Sequence, residues 1–558
     1  MQTETAPITN ISRHLTRMAK LRPFQEAVIF PSGRDKSGRT TYTHLTYAQL
    51  ESMSETVAQQ LLSNGVTQGM RTAFMVKPSL EFFVMTFALF KARAIPVLID
   101  PGIGLKNMKR CLAESEAEAF VGIPAAHVAR LLFNWRGKSK TWKAKISISP
   151  KSFPGTISYQ KLLAIPEHPK PLHESRLDDV AAILFTSGST GAPKGAIYTH
   201  RNFLSQVDLL ASSLHIQLGE RDLCTFPLFA LFAPAFGMTA VIPEMDFTRP
   251  AKVNPEKIKE AIDNFGISNM FGSPALIKRV AAHGKAHSWH FPSLKRVISA
   301  GAPVPASVIE SFRNLLPADA EFYTPYGATE SLPVAIAESR LLLGEARKKH
   351  GRGLGLCVGT PVAPSVVKIL RITDSELPVF DETDLLSDSN IGEIIVSGAQ
   401  VTTAYFNRDE ATRLAKTKDR DGLFYHRMGD LGYIDEEGHL WFCGRKSHRV
   451  QTMKGDLYTI PTEAVFNNHP RVARTALVGL GVAPHQTPLL CVEPLRSLSK
   501  AEEAQLFAEL KTLGDHHSHT RSVQQFLLHP DFPVDIRHNA KIFREKLKVW
   551  ADQTWQKQ

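Results

Sequence analysis

A glycine-rich loop between two apolar strands is the feature that most constrains how this chain folds. The segment VAAILF (180–185) is an apolar run of strand length, and AIY (196–198) resumes as a second strand after the loop. Apolar residues then recur at helical spacing from near Thr199, which predicts a helix. The loop therefore joins strand to strand, which limits the chemistry that it can perform.

The loop TSGSTGAPKG (186–195) has the composition of an anion-binding site. Its glycines let backbone N–H groups turn toward one point, its hydroxyls add hydrogen-bond donors, and Lys194 adds a positive charge. A plain flexible turn has a similar composition. A Walker A loop needs Gly-Lys-Ser/Thr leading into a helix, whereas here Gly195 and a strand follow the lysine. We expect phosphate to be held by Thr186, Ser187, Gly188, Ser189, Thr190, Gly191 and Lys194.

The length of 558 residues predicts more than one domain. Strand-like runs alternate with amphipathic segments in the first half, as in the helix at 46–66, which is typical of a layered α/β domain. From about residue 446 the chain changes to short strands, two helices and a basic end. We predict a large multi-layer α/β N-terminal domain of β-sheets and helices (1–445) and a small α+β C-terminal domain (446–558).

Charge and apolar content exclude some classes of protein. The formal net charge of +12 favours anionic partners, but the basic residues form no single long run that would indicate nucleic acid. The uncharged, Phe-rich segment 226–243 is interrupted by Pro227, Pro234 and Gly237. It therefore indicates a buried core or the lining of a lipid-like pocket, and we expect no transmembrane segment.

The cysteines indicate the cellular compartment. Five cysteines are scattered along the chain, and no pair has the spacing of metal ligands. A disulfide framework is therefore not expected, and a cytoplasmic location fits. The start, MQTETAPITN, lacks the pattern of a secretory signal.

Several motifs in order resemble the adenylate-forming superfamily, which includes acyl-CoA synthetases, luciferases and the adenylation domains of peptide synthetases. The loop at 186–195 resembles the phosphate-loop signature of that superfamily. The segment SAGAPV (299–304) resembles its adenine-binding segment, and YGATE (326–330) matches Tyr-Gly-x-Thr-Glu. The stretch 426–450 resembles the Gly-Asp and Gly-Arg motifs that end the large domain. The segment DIRHNAKIFREKL (535–547) resembles the C-terminal segment that carries a catalytic lysine.

The resemblance implies a role for each residue that matches a motif. Glu330 would bind Mg²⁺, which prefers carboxylate and phosphate oxygens. Asp430 would accept hydrogen bonds from both ribose hydroxyls. Lys541 would lie between the substrate carboxylate and the α-phosphate. The catalytic set implied is Lys541, Glu330, Lys194 and Arg445, and the ATP-binding set adds Gly301, Ala302, Pro303, Tyr326, Gly327, Ala328, Thr329 and Asp430 to the loop residues.

The implied reaction has two steps, with ATP and Mg²⁺ as the cofactors. A carboxylic acid attacks the α-phosphorus of ATP to give an acyl-adenylate and pyrophosphate, and a second nucleophile then displaces AMP. In the superfamily the small domain is mobile and rotates between the steps about a hinge just after the Gly-Arg pair. Ser447 stands where relatives usually have Asp.

The second nucleophile depends on finer resemblances. Ala230 stands where relatives often carry His, and Ala540 replaces the usual Gly before the lysine. The latter stretch and DPGIGLKNMKRCL (100–112) resemble the β-lactone synthetases of bacterial long-chain olefin biosynthesis. Those enzymes activate a 2-alkyl-3-hydroxy fatty acid, whose own β-hydroxyl closes a lactone. The acyl pocket implied includes Phe229, Ala230, Phe232 and Phe236.

Two other functions stay open from the sequence. One is a CoA or carrier-protein acyl ligase on the same fold, and the other is a non-catalytic nucleotide- or acyl-binding protein. Retention of Lys194, Glu330 and Lys541 argues against the non-catalytic alternative. The expected partners are small-molecule substrates and no nucleic acid, and the resemblance leaves room for assembly with other enzymes of the same hydrocarbon pathway.

Overall fold

The computed structural model describes residues 8–135, 142–149, 153–186, 193–387, 389–534 and 542–556. Its helices are α1 (Arg13–Leu21), α2 (Tyr47–Ser63), α3 (Leu80–Lys91), α4 (Gly104–Ser115), α5 (Pro124–Leu132), α6 (Tyr159–Leu162), α7 (His200–Ser213), α8 (Pro227–Ala230), α9 (Phe232–Ala235), α10 (Pro255–Phe265), α11 (Pro274–Ala286), α12 (Ala306–Arg313), α13 (Ser339–Leu343), α14 (Glu345–Gly351), α15 (Asp409–Ala415), α16 (Thr459–Phe466), α17 (Lys500–Asp515) and α18 (Arg544–Trp555).

The strands are β1 (Glu26–Arg34), β2 (Thr40–Thr46), β3 (Arg71–Met75), β4 (Ile95–Ile99), β5 (Ala119–Gly122), β6 (Ala144–Ser147), β7 (Ile157–Ser158), β8 (Val180–Thr186), β9 (Lys194–Thr199), β10 (Arg221–Cys224), β11 (Thr239–Val241), β12 (Asn269–Phe271), β13 (Arg296–Ile298), β14 (Glu321–Ala328), β15 (Ser331–Glu338), β16 (Leu356–Pro361), β17 (Val366–Leu370), β18 (Val379–Phe380), β19 (Gly392–Ser397), β20 (Lys416–Asp419), β21 (Phe424–Ile434), β22 (Leu440–Arg445), β23 (Val450–Thr452), β24 (Gly455–Leu457), β25 (Val472–Leu480), β26 (Thr487–Pro494) and β27 (Gln525–Leu528).

One sheet carries the glycine-rich loop. Its strand order is β7-β6-β5-β3-β4-β8-β9, and every neighbouring pair is parallel except β8 and β9. The antiparallel register pairs Thr186 with Lys194, so the loop connects the ends of two adjacent strands. The strand–loop–strand arrangement predicted from the sequence is confirmed.

A second, larger sheet carries the other motifs. It runs β17-β19-β21-β22-β16-β15-β14-β13-β12-β10-β11-β1-β2, with β18 and β20 joined beside β21. Strands β10, β12, β13 and β14 are parallel to their neighbours in this series. The pairs β14–β15, β15–β16, β16–β22 and β22–β21 are antiparallel. The segment after β13 and the YGATE motif at the end of β14 therefore lie at one edge, where the carboxyl ends of parallel strands usually hold ligands.

Local capping explains where two of the predicted helices begin. Thr46 precedes α2 and accepts the amide hydrogen of Gln49, whose side chain accepts from the Thr46 amide in return. Thr199 forms the same reciprocal pair with Asn202 before α7. Because such a capping box satisfies otherwise unpaired amides of the first turn, it fixes the first residue of each helix.

The C-terminal region has its own sheet and cores. Strands β25, β26 and β27 form a three-stranded sheet that α16 and α18 contact. In the described part after residue 446 there are three helices, one more than the sequence predicted. Helix α16 is buried on nearly all sides and contains Pro461, so it lacks the polar face that makes a helix recognisable in sequence.

The Phe-rich segment is divided into short elements. It forms α8, α9 and β11, in agreement with the interruptions by proline and glycine. Among the described residues, no helix has both the length and the apolar character needed to cross a membrane. The five cysteines are buried and form no disulfide. The mixed α/β architecture predicted from the sequence is confirmed.

A buried ionic cluster lies at the end of the large sheet, beside the predicted hinge. The Glu393 carboxylate accepts hydrogen bonds from Nη2 of Arg427 at 2.7 Å and from Nζ of Lys446 at 2.9 Å. The side chains of Glu393 and Arg427 are each only 1% exposed. Burial makes this cluster costly to break, because removing one partner leaves an uncompensated charge.

We expect Glu393→Ala to lower the free energy of unfolding by about 3–5 kcal/mol, because it leaves Arg427 buried without its partner. Glu376→Ala is the matched control, since its ion pair with Arg413 is exposed on both sides; it should cost about 1 kcal/mol or less. Thermal and urea unfolding followed by circular dichroism would compare the two. Equal losses would show that the buried cluster contributes no more than a surface pair.

Candidate active site

The predicted catalytic and ATP-binding residues that the structure describes lie on five strands and the turns beside them. Lys194 begins β9, and Asp430 and Arg445 lie on the adjacent strands β21 and β22. Tyr326, Gly327 and Ala328 end β14, and Thr329 and Glu330 form the turn before β15. Gly301, Ala302 and Pro303 follow β13, the parallel neighbour of β14. The predicted residues Ser187, Gly188, Ser189, Thr190, Gly191 and Lys541 lie outside the described residues, and Thr186 ends β8.

The Glu330 carboxylate is held from one side. The Tyr405 hydroxyl donates a hydrogen bond of 2.5 Å to its Oε1. The backbone carbonyl of Glu330 accepts from the Thr402 amide at 2.9 Å and from the Thr402 hydroxyl at 3.2 Å. Among the residues that the structure describes, none bonds or pairs with Oε2. One carboxylate oxygen is therefore available to a ligand.

Lys194 contacts the ring of the same tyrosine, Tyr405. Its Nζ is 5.0 Å from the centroid of the Tyr405 ring, within the range of a cation–π contact. The segment 402–406 pairs with β9 through the Phe406 amide, which donates to Gly195 at 2.8 Å, and the Ile197 amide, which donates to Ala404 at 3.1 Å. The segment therefore fixes Lys194 and Glu330 relative to one another.

Thr329 is positioned by a side chain from the other sheet. The Tyr198 hydroxyl, on β9, donates to the carbonyl oxygen of Thr329. Burial raises the pKa of Tyr198, so its hydroxyl keeps the proton that it donates. The two sheets are therefore connected directly at the YGATE turn, beside Glu330.

Asp430 and Arg445 form a second charged pair. Nη1 of Arg445 is 2.8 Å from Oδ1 of Asp430, and the Tyr326 hydroxyl donates to Oδ2 at 2.7 Å. Burial raises the pKa of the Asp430 carboxyl, and the positive charge of Arg445 opposes that shift. The negative charge of Asp430 raises the pKa of Arg445, and Glu330 and Tyr405 add to this effect. The Asp430 pair and the Glu330 group therefore belong to one electrostatic site.

A glycine shapes the backbone in each of two motif segments. Gly301 has a φ of +94°, in the left-handed region that residues with a Cβ rarely adopt. A Cβ on Gly327 would lie 2.7 Å from the carbonyl oxygen of Ser331. Glycine is therefore required at both positions, which places the neighbouring backbone at the edge where Tyr326 and Thr329 lie.

The predicted acyl wall is a row of phenylalanine rings. Phe229 lies 5.4 Å from Phe226 and 6.3 Å from Phe232, whose ring lies 6.0 Å from Phe236, measured between centroids. Phe271, at the end of β12, extends the row with a ring 4.6 Å from Phe229. Ala230 is buried beneath the row and is 1% exposed. The row begins at the end of β12, next to β13 and its motif segment.

Lys416 is a buried cation that sequence reasoning missed. Its Nζ donates to the carbonyl oxygen of Thr402 and lies 5.7 Å from the ring centroid of Phe424. Burial lowers the pKa of Lys416 to about 7, and the negative charge of Glu330 opposes this shift. Tyr405 and Tyr198 were missed as well. No local pattern identifies these residues, because Tyr405 meets Glu330 across 75 positions of sequence.

The low pKa of Lys416 predicts a dependence of stability on pH. Its pKa in the folded protein, about 7, is below the value of about 10.4 in an unfolded chain, so the unfolded state binds more protons between those values. The free energy of unfolding of the wild type, relative to Lys416→Met, should therefore rise with pH by about 1 kcal/mol per unit above pH 7. Below pH 7 the difference should be constant.

Urea unfolding at pH 6, 7, 8 and 9 would measure this difference. Lys418→Met is the matched control, because Lys418 lies two residues further along β20 and is exposed. Its difference from the wild type should not change over this range. A flat profile for Lys416→Met would mean that the lysine reaches water in the folded protein.

Comparisons with known proteins agree with this geometry. The family model for AMP-binding enzymes matches residues 15–406, more than half of the chain. An olefin β-lactone synthetase of Xanthomonas campestris pv. campestris is 47% identical over 552 residues, which cover 98% of each chain. An olefin β-lactone synthetase of Stenotrophomonas maltophilia is 47% identical over 549 residues, covering 97% of this chain and 98% of the relative.

Solved structures share the fold at lower identity. An amide bond synthetase from Marinactinospora thermotolerans superposes with a TM-score of 0.76 at 20% identity, over 97% of this chain and 99% of that one. An o-succinylbenzoate coenzyme A synthetase from Bacillus subtilis, solved with ATP and magnesium, gives 0.71 at 21% identity, over 96% and 99%. The family match and the two relatives at 47% identity show that this chain belongs to the AMP-binding enzymes, in the same family as the olefin β-lactone synthetases.

Proposed function

We propose that this protein is an AMP-forming ligase that activates a long-chain 2-alkyl-3-hydroxy fatty acid with ATP and closes it to a β-lactone. The main support for the proposal is a group of four charged residues near one edge of the sheets: Lys194, Glu330, Asp430 and Arg445. The similarity of this chain to olefin β-lactone synthetases adds to that support. Two cations and two carboxylates at one edge suit a nucleoside triphosphate and its metal. The name of the relatives at 47% identity supports the lactone as the product.

The ATP site would use each charged group differently. Lys194 and the loop before it would bind phosphate oxygens, and Thr329 would donate to the α-phosphate. Asp430 would accept from the ribose hydroxyls, while Tyr326, which already donates to Asp430, would present its ring to the adenine. Arg445 would move from Asp430 to phosphate or ribose, because it can pair with either.

The residues present fit a magnesium ion. Mg²⁺ favours one or two protein carboxylates together with phosphate oxygens and water. Glu330 offers one oxygen that has no partner among the described residues, at the edge where phosphate would bind. When bound, the ion would neutralise the developing charge of the phosphates. The chain supplies the direction of the carboxylate through Tyr405 and Thr402.

In the first step the substrate carboxylate attacks the α-phosphorus, and pyrophosphate leaves. Both reactants are anions, so their approach requires positive charge, which Lys194 and Lys541 would supply. In the second step the β-hydroxyl oxygen attacks the acyl carbon, loses its proton and displaces AMP. The row of phenylalanine rings would bind the alkyl chains and exclude water, which would otherwise return the free acid.

The product distinguishes the lactone from a thioester. With ATP and a 2-alkyl-3-hydroxy acid we expect loss of the acid, equimolar AMP, and a product lighter than the substrate by one water. The internal hydroxyl has a higher effective concentration than any free thiol, so added CoA should change neither rate nor product. Mass spectrometry and AMP assay would follow the reaction with and without CoA.

A matched substrate provides the control. The same acid without the 3-hydroxyl should give adenylate at most and then stall, because it has no internal nucleophile. Accumulation of acyl-CoA, only when CoA is supplied, would replace the lactone with the ligase reaction. Absence of pyrophosphate release with any acid would contradict adenylation itself.

The domain boundary at 445/446 is part of the proposal, with residues 446–558 as a mobile unit. Arg449 pairs with Asp374 of the preceding region at 2.5 Å and with Asp456 at 3.0 Å. Lys446 donates to the carbonyl oxygen of Thr373 at 2.9 Å. Rotation about Ser447 would exchange these contacts for others, so the stretch 446–456 would act as the hinge.

Limited trypsin digestion tests the hinge. Lys454 is exposed in the turn between β23 and β24, so we expect cleavage after it in the free protein. ATP with substrate should slow that cleavage, because ligands favour one domain orientation. Lys454→Gln should remove the cut and identify the site by mass. Cleavage that ignores ligands, or that occurs elsewhere in the middle of the chain, would contradict a mobile small domain.

The proposal also includes the partners of the protein and its location in the cell. ATP and a long-chain acid are its small-molecule partners. We infer that it works in the cytoplasm, where ATP is supplied, and that other enzymes of the hydrocarbon pathway pass the hydroxy acid to it and take the lactone from it.

A further inference from the structure

Tyr405 contacts both charged groups that the proposed ATP site depends on. Its hydroxyl donates to Oε1 of Glu330 at 2.5 Å, and its ring lies 5.0 Å from Nζ of Lys194. Tyr405 is 6% exposed, so its side chain is packed in the protein, with its hydroxyl at Glu330 and its ring at Lys194. Within the part of the chain that the structure describes, Lys194 and Glu330 form no direct ion pair.

The backbone holds Tyr405 in this position from both sheets. Residue 405 bridges Ala196 of β9, and its amide donates to the Thr412 hydroxyl at 3.1 Å. Thr402, three residues earlier, bonds the backbone of Glu330, and Lys416 bonds the carbonyl of Thr402. These contacts fix the backbone at residue 405, and the burial of the side chain restrains its rotation, so the fold holds the hydroxyl and the ring beside the two charges.

An ammonium and a carboxylate in one site attract one another and form an ion pair where they come into contact. A direct Lys194–Glu330 ion pair would occupy the carboxylate needed by a metal and the ammonium needed by phosphate. The aromatic face attracts the ammonium weakly, and the hydroxyl takes one carboxylate oxygen while leaving the second one open. Tyr405 therefore keeps both charges available before the nucleotide arrives.

We propose that Tyr405 is a positioning residue that aims the Glu330 carboxylate at the metal through its hydroxyl and separates Glu330 from Lys194 through its ring. The inference rests on the proposed ATP and Mg²⁺ site and adds to it a residue that touches neither ligand. The two parts of the Tyr405 side chain affect different ligands. The hydroxyl affects the Mg²⁺ concentration that ATP binding requires, and the ring affects the affinity for ATP itself.

Calorimetric titration of the full-length protein with ATP at a series of Mg²⁺ concentrations tests the hydroxyl. No acyl substrate is present, so ATP is not consumed. Tyr405→Phe should raise the Mg²⁺ concentration needed for half-maximal ATP affinity by about tenfold, the usual effect of one hydrogen bond to a charged group. The affinity at saturating Mg²⁺ should be unchanged, because the ring is retained.

A double-mutant cycle shows whether the effect passes through Glu330. Glu330→Gln should shift the Mg²⁺ concentration needed for half-maximal ATP affinity. In the Glu330→Gln background, Tyr405→Phe should cause no further shift of that concentration. Additive shifts would overturn the inference. Tyr425→Phe is the matched control, since Tyr425 is a buried tyrosine on β21 whose hydroxyl has no partner among the described residues; its Mg²⁺ dependence should equal that of the wild type.

Tyr405→Leu tests the ring. It allows Lys194 and Glu330 to approach, so we expect weaker ATP binding even at saturating Mg²⁺, unlike Tyr405→Phe. Equal behaviour of the two variants would overturn the separating role of the ring. Thermal unfolding of Tyr405→Phe should match that of the Tyr425→Phe control. Tyr405→Leu removes a buried ring and should unfold at a lower temperature, so its ATP affinity is measured below its unfolding transition. A loss of stability in both variants with no change in ATP binding would overturn the inference.

Failure of the inference and failure of the proposed function give different results. If Glu330→Gln leaves the Mg²⁺ dependence of ATP binding unchanged, Glu330 does not bind the metal, and Tyr405 cannot act by positioning it. If Glu330→Gln shifts that dependence and Tyr405→Phe does not, the inference alone falls. These results do not depend on whether the product is a lactone, because the titrations contain no acyl substrate.

Discussion

The pairing of residues 402–406 with β9 is the contact on which the geometry of the site depends. Hydrogen bonds from the amides of Phe406 and Ile197 join this segment to the strand that starts with Lys194. Thr402 joins the same segment to Glu330. Lys194 and Glu330 come from different sheets, so without this short segment their separation would depend on the Tyr198–Thr329 hydrogen bond and on the packing of the sheets.

Each carboxylate of the site has a tyrosine donor and a cation nearby. Tyr405 donates to Glu330 beside Lys194, and Tyr326 donates to Asp430 beside Arg445. Charged groups that are buried need such partners, because desolvation costs more than a single ion pair returns. The neutral phenols satisfy one oxygen of each carboxylate without neutralising its charge. Each phenol therefore fixes the direction of its carboxylate.

The sequence predicted those parts of the fold and site that depend on local chemistry. The strands at 180–185 and 196–198, the helix beginning after Thr199, and the mixed α/β class are confirmed, because periodicity and capping act over a few residues. The placement of Gly301 at a positive φ fits its motif. The roles assigned to Lys541 and to residues 187–191 stay predictions, since these residues lie outside the described part of the chain.

Some elements and residues could not be predicted from local sequence patterns, for physical reasons. Helix α16 is buried nearly all round and contains a proline, so it lacks the polar face and the propensity that indicate a helix. Tyr405 and Lys416 acquire their importance from contacts made in three dimensions: a tyrosine and a lysine in the sequence carry no sign of a distant carboxylate. The pKa of Lys416, about 7, follows from burial, which is a property of the folded chain.

The proposed acyl wall and the proposed ATP site place opposite demands on their surroundings. Adenylation needs charges that bind a polyanion, whereas closure of a strained lactone needs an environment from which water is excluded. The row of phenylalanine rings begins with Phe271 at the end of β12, and Glu330 follows β14, two strands further along the sheet. Adjacent parallel strands thus deliver apolar and polar side chains to one edge. The carboxyl group of the substrate would lie where the two surfaces meet, with its alkyl chains along the rings and its reacting oxygens beside the cations.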